Sequence, residues 1–180
     1  MRIRNFRYSD LPSLVMVQSS SVVVDQTREV DEAAFTRWLL DPELDAPANA
    51  FVMTDDDDEM LVWGQAGTLE GIEGEIIGYT VLQYQHDQEG YHFVCRGSVH
   101  PAQRRRNAGR ALLMGALNRA RISATEFEFE AEREQFPIFF EALLPVADDA
   151  TSRLAAKCGM KMKNRPVIEG LQLYQKELYE

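Results

Sequence analysis

Three arginines in a row, Arg104, Arg105 and Arg106, precede Asn107, Ala108 and Gly109 and then the apolar run Ala111-Leu112-Leu113. Guanidinium groups are planar, charge-assisted donors that suit phosphate oxygens. Asparagine is among the few non-glycine residues that readily take a left-handed conformation, and Gly109 takes almost any and has no side chain to obstruct a ligand. Leu112, Leu113, Ala116 and Leu117 recur at helical spacing, which predicts a helix over Ala108–Arg121 and puts the arginines just before its start. A helix N-terminus leaves about four backbone N–H groups unpaired and carries roughly half a positive charge. Together these features form an anion site, and a pyrophosphate would satisfy all of them. On their own, the same residues also read as a solvated basic loop. A Walker-type loop is excluded because no Gly-Lys-Ser/Thr follows, and no second glycine stands at dinucleotide-fingerprint spacing.

Other residues with chemical potential are scattered. Glu126, Glu128 and Glu130 alternate with Phe127, Phe129 and Ala131, the pattern of a strand with one acidic face. Glu89 stands in a turn beside a strand start. Cys95 and Cys158 lie within apolar patterns and match no metal spacing, so both read as reduced core thiols, and neither has a spaced histidine to suggest an acyl-enzyme. His86, His92 and His100 show no ligand spacing, and no metal site is expected. The acids from Asp55 to Asp58 lack the spaced ligands and glycine of a calcium loop and read as a solvated turn.

The elements that must position these residues follow from periodicity. Arg2–Phe6 alternates as a first strand. Ser9, Asp10 and Pro12 open a helix with Leu11, Leu14 and Val15 on its apolar side. A second helix covers Glu29–Leu40 and is stopped by Asp41-Pro42. Phe51–Met53, Met60–Trp63, Glu75–Gln85 and Tyr91–Val99 read as strands, with a hairpin loop at Thr68–Gly74, so residues 59–99 form an antiparallel meander. A strand, the helix from Ala108 and a strand at Glu126–Ala131 suggest a crossover that pairs two strands in parallel. Phe136–Ala147 reads as a short helix, apolar on most sides, that must bury itself as extra core, a dimer contact or a pocket wall. A helix near Asp148–Cys158 and strands at Lys161–Pro166 and Gly170–Leu178 complete the chain. The fold class is α/β: a mixed, mostly antiparallel sheet flanked by helices, in one domain over residues 1–180.

Bulk properties narrow the function. The formal net charge is −10, which argues against non-specific nucleic-acid binding and is compatible with a cationic substrate. Apolar runs are too short to span a membrane, and no secretory h-region is present. With the reduced cysteines, this suits a cytoplasmic protein without a membrane partner.

Val99-His100-Pro101, then Arg104 to Gly109, then Arg110-Ala111-Leu112-Leu113, resembles motif A of the GCN5-related N-acetyltransferases: Val-x-Pro, then Arg/Gln-x-x-Gly-x-Gly/Ala and an apolar helix. Asn107 stands where the family usually has glycine, and a second register, Arg106-x-x-Gly109-x-Ala111, is open. Ile77-Gly78-Tyr79 and Cys158-Gly159-Met160 also resemble family segments. The resemblance implies an acetyl-CoA-dependent N-acetyltransferase, or a domain of that fold that senses acyl-CoA without turnover. It implies that Arg104, Arg105, Arg106, Asn107, Ala108, Gly109 and Arg110 hold the CoA pyrophosphate and that Val99 pairs with pantetheine. It also implies a small-molecule or peptide amine as acceptor, and a homodimer. Amine acetylation needs a base. Glu130 is the first candidate, because a strand glutamate stands five residues before a helix-opening Asn in the family's ribosomal-protein members and Gln135 would replace that Asn. Glu89 is the second. The family's usual acid, a tyrosine, is replaced by Ala155 or, if the family's fourth helix is Phe136–Leu144, by Phe139 or Phe140. Tyr91 and Tyr174 are alternative phenols.

Overall fold

The computed structural model describes residues 1–29, 31–55, 74–164 and 169–179. Strand β1 (Arg2–Asn5) leads through a 3-10 turn into helix α1 (Leu11–Asp25), followed by α2 (Glu32–Leu39) and the four-residue α3 (Ala46–Asn49). Strands β2 (Ala50–Asp55), β3 (Glu75–Asp87) and β4 (Gly90–Val99) come next, then the long helix α4 (Ala108–Ala124) and a short helix α5 (Glu128–Glu134). Strand β5 (Ile138–Pro145), helix α6 (Thr151–Lys157) and strands β6 (Lys161–Met162) and β7 (Leu171–Glu177) close the chain. The expected strand at Met60–Trp63 and most of the Thr68–Gly74 loop lie outside the described residues, as does the end of the expected Lys161–Pro166 strand.

The described strands form one sheet in the order β1-β2-β3-β4-β5-β7-β6. All neighbours are antiparallel except β4 and β5, which run parallel. This is the mixed, mostly antiparallel sheet that the sequence predicts. The parallel partner, however, is not Glu126–Ala131. That segment lies in α5 and the loop before it, and the strand is Ile138–Pro145, read from sequence as a helix. Glutamate and alanine favour the helix over the two-residue alternation that suggested a strand. An apolar run in a central strand is buried on both faces, so periodicity cannot distinguish it from a buried helix.

Alternation along the strands sorts the core. Leu82, Tyr91, Phe93, Cys95, Ile138, Phe140 and Ala142 pack with Leu113, Ala116, Leu117 and Ala120 of α4 and with Ala155 of α6. The opposite face of β1–β3 packs against Leu14 and Val17 of α1 and Phe35 and Leu39 of α2. Helix α6 ends where Cys158-Gly159-Met160 predicts: Gly159 has φ +72°, and Met160 N–H reaches Ala155 O while Gly159 N–H reaches Ala156 O. This is a Schellman closure, which a residue with a Cβ adopts at a cost. No described helix is long and apolar enough to cross a membrane.

Candidate active site

Strands β4 and β5 pair from Tyr91↔Ile138 to Cys95↔Ala142 and no further. Beyond that point β4 continues beside β3 to Val99, and β5 continues beside β7 to Pro145. The sheet therefore splits. His100 N–H bonds to Ile77 O on β3, and Tyr91 N–H bonds to Pro137 O on the β5 side. Because a strand directs successive groups to opposite sides, the N–H groups of Gly97 and Val99 point into the split. A cleft of about 420 Å³ occupies it. Thr80, Cys95, Gly97, Ser98 and Val99 line one wall, and Leu144, Pro145, Thr151 and Leu154 line the other. Arg105, Asn107, Gly109 and Arg110 stand at its mouth, and Tyr79 and Asp25 complete it.

The mouth is the N-terminus of α4. Asn107 caps the helix in the left-handed conformation, φ 66° and ψ 4°, and its side chain makes no capping hydrogen bond. Arg105 is also left-handed, with φ 68°. Among the described residues, none accepts from the N–H groups of Ala108, Gly109 or Arg110. The backbone freedom is thus used at Arg105 and Asn107, whereas Gly109 is an ordinary helical residue. Gly109 matters for space: a Cβ there would lie 3.7 Å from Leu154 Cδ2 and 3.9 Å from Val99 Cγ2 across the cleft. The left-handed Asn107 favours the register that begins at Arg104 over the one that begins at Arg106.

The side chains of Arg104, Arg105 and Arg106 are engaged by carboxylates. Arg104 makes two hydrogen bonds to Asp25, at 2.6 and 2.8 Å, and a third from Nε to Val99 O at 3.0 Å. Arg105 donates to Asp148 at 2.9 Å, and Arg106 to Asp55 at 2.6 Å. Carboxylates from α1, from the loop after β5 and from β2 thus hold the loop in place and leave its backbone to face the cleft. Asp25 and Asp148 are site residues that the sequence reading missed, since nothing local marks a partner 79 or 43 positions away.

The expected bases lie elsewhere. Glu130 is exposed on α5, not on a strand, and does not line the cleft. Glu89 is in the turn before β4, where Lys163 Nζ lies 3.0 Å from it. That turn is at the opposite end of β4 from Val99. Tyr91 donates to Glu134 at 3.1 Å, and neither it nor Tyr174 lines the cleft. The tyrosine that does is Tyr79, whose hydroxyl donates to Gln18 Oε1, and burial pushes its phenol up. Cys95 lies at the cleft floor with its thiol pushed up to about 12 by burial, 3.0 Å from Thr80 Oγ1. No cluster of three or more potential metal ligands occurs among the described residues.

A split sheet beside a helix N-terminus with open amides is an arrangement that comparison with known proteins can place. The profile of the Acetyltransferase (GNAT) family matches residues 24–137, well over half of the chain. This chain belongs to that family. No protein of curated function matches it. The fold is similar to yncA of Salmonella typhimurium, solved with acetyl-CoA: TM-score 0.65, 19% identity, covering 100% of this chain and 95% of that one. It is also similar to a phosphinothricin acetyltransferase of Sinorhizobium meliloti in complex with acetyl-CoA, with TM-score 0.64, 16% identity and coverage of 98% and 88%. A GCN5-related N-acetyltransferase of Sphaerobacter thermophilus is similar at TM-score 0.59 and 14% identity, over 89% of this chain but only 43% of that one.

Proposed function

We propose that this protein transfers an acetyl group from acetyl-CoA to a primary amine by direct attack within a ternary complex. The observation that carries this reading is the parting of β4 from β5 after Cys95 and Ala142, beside the open amides of α4. The residues present fit the cofactor. The N–H groups of Ala108, Gly109 and Arg110 suit a pyrophosphate, and the free edge of β4 from Gly97 to Val99 suits the amides of pantetheine as an added strand does. Bound there, acetyl-CoA supplies an acyl carbon activated as a thioester. A strand N–H at the split would suit the charge that develops on the acyl oxygen. The Cys95 thiol, held protonated by burial, is a poor nucleophile, which supports direct attack over an acyl-enzyme. The neighbours solved with acetyl-CoA support the cofactor. The net charge of −10 favours a cationic acceptor.

Calorimetric titration with acetyl-CoA tests the reading, using the parent and Gly109→Trp. Binding by the parent should weaken on the order of 100-fold or more in the variant, a loss of about 2.7 kcal/mol, because an indole would fill the space between Leu154 and Val99. No binding by a folded parent overturns the proposal. Ala155, buried where the family usually has a tyrosine, favours one other reading, an acyl-CoA sensor. CoA release in the presence of a panel of amines excludes it.

A further inference from the structure

On the face of the sheet turned away from α4, one buried polar cluster sits where β4 and β5 are still paired, just before they part. Val94 and Glu141 are register partners, one residue before the final pair Cys95↔Ala142. Glu141 is 5% exposed, as is His92. Glu141 Oε1 accepts from Gln175 Nε2 at 2.7 Å, lies 3.3 Å from His92 Nδ1 and is 3.8 Å from Lys163 Nζ. No described donor reaches Oε2. The other imidazole nitrogen, Nε2, lies 3.2 Å from Asp87 Oδ1, and the Asp87 side chain is 61% exposed. A line of titratable groups therefore runs from the point of the split to solvent.

We infer that Glu141 is the base that takes the acceptor's proton and that His92 and Asp87 carry that proton to solvent. This rests on the acetyl-transfer reading above. The α4 side of the apex is the cleft itself, lined by Cys95, Leu113 and Leu154 and taken by the cofactor in the proposed complex, so an amine reaching the acyl carbon comes from the other face. There Glu141 stands one register position from the apex, below the cleft lining, whereas Asp25, which does line the cleft, is held by Arg104. An ammonium gives one proton to Glu141. His92 accepts it at Nδ1 and releases the proton on Nε2 to Asp87, which passes it to water. The neutral nitrogen then forms the C–N bond as the C–S bond breaks, and the proton it sheds on becoming an amide goes to the departing thiolate. Lys163, from the segment after β6, and Glu89, from the β3–β4 turn, are charged groups beside this line, and the register places Arg96 of β4, Lys161 of β6 and Glu177 of β7 on the same face. Lys163 is held by Glu89 and lies over the Phe139 ring.

The test uses Glu141→Gln, His92→Gln and Asp87→Asn, with acetyl-CoA and three amines: butylamine, spermidine and an alanine-terminated tripeptide. Acetyl-CoA affinity measured by calorimetry should stay within about twofold in all three variants. With whichever amine the parent acetylates, Glu141→Gln should lose roughly 100-fold or more in kcat at pH 7. That deficit should shrink as pH rises and the amine loses its proton in bulk water. His92→Gln and Asp87→Asn should be slower and should recover as buffer concentration is raised. In the free protein, the His92 imidazole NMR signals should shift in both Glu141→Gln and Asp87→Asn. Unchanged kcat and pH profile in folded Glu141→Gln overturn the inference. If that variant does not fold, a His92→Gln rate that ignores buffer concentration overturns it. A parent that binds acetyl-CoA but acetylates none of the three amines overturns the transfer reading, and this inference with it.

Discussion

Helix α1 is pinned at both ends by an arginine–aspartate pair, and the two pairs do different work. At its start, Arg4 holds Asp10 at 2.7 and 2.8 Å, and the N–H of Arg7 adds a bond at 2.8 Å. At its end, Arg104 holds Asp25 with nearly the same geometry. Asp10 is a negative charge at the positive end of the helix dipole, a favourable place. Asp25 is a negative charge at the negative end, where the dipole opposes it. Asp25 therefore makes sense only with its partner, and that partner begins the loop that frames the cleft. The first pair joins β1 to α1 and serves stability. The second joins α1 to β4 and the loop before α4, and shapes a binding site at some cost to local electrostatics.

This contrast can be broken by treating the pairs alike. Asp10→Ala removes the bidentate carboxylate partner of a largely buried guanidinium and should lower stability by about 3–5 kcal/mol. The melting temperature should fall by roughly 6–20 °C, with acetyl-CoA affinity of the folded protein unchanged by calorimetry. The effect should depend on pH. Burial raises the Asp10 carboxyl, but the bonds from Arg4 and Arg7 outweigh it and hold it net below its usual 3.8. Its stabilisation is complete above that unfolded value and is lost as pH falls through the folded one, so the gap between parent and variant should close below about pH 4. Asp25→Asn should be the reverse case: a tenfold to roughly 100-fold loss of acetyl-CoA affinity, from about 1–3 kcal/mol of loop positioning, and a smaller drop in melting temperature than Asp10→Ala. Equal losses of affinity in the two variants would erase the distinction. The smallest effect is expected from Asn107→Gly, which removes left-handed strain of about 1 kcal/mol or less. It should raise the melting temperature by a few degrees at most and leave affinity unchanged, since the N–H groups stay in place.

What the chain reveals about itself depends on how local the cause is. The arginine loop was legible because its signals are adjacent: Asn107 does adopt the left-handed conformation its type suggested, and the apolar face of α4 falls on Leu112, Leu113, Ala116 and Leu117. Its supports were not legible, because Asp25, Asp55 and Asp148 come to Arg104, Arg105 and Arg106 only through the tertiary fold. The error at Glu126–Ala131 exchanged a strand and a helix, and Glu130 was misplaced with it. Pro137 and Pro145, eight positions apart around an apolar run, were the available hint that Ile138–Pro145 is a strand too short for a typical helix. The same run carries its own clue in Glu141, a single carboxylate among apolar neighbours. Such a charge is seldom buried without partners, and here it has them.

The divergence of β4 from β5 also bears on how this protein keeps apart from its neighbours. A seven-stranded sheet ordinarily has two edges to protect; one that splits has an inner pair as well. Among the described residues, none accepts from the N–H groups of Gly97 and Val99, and this edge offers the same invitation that an extended segment of any misfolded chain would accept. Arg105 and Asp148 crowd the mouth with side chains in place of an open, flat ledge. If acetyl-CoA pairs with the inner edge as proposed, it also shields that edge, and the saturated protein should aggregate more slowly on heating than the protein alone.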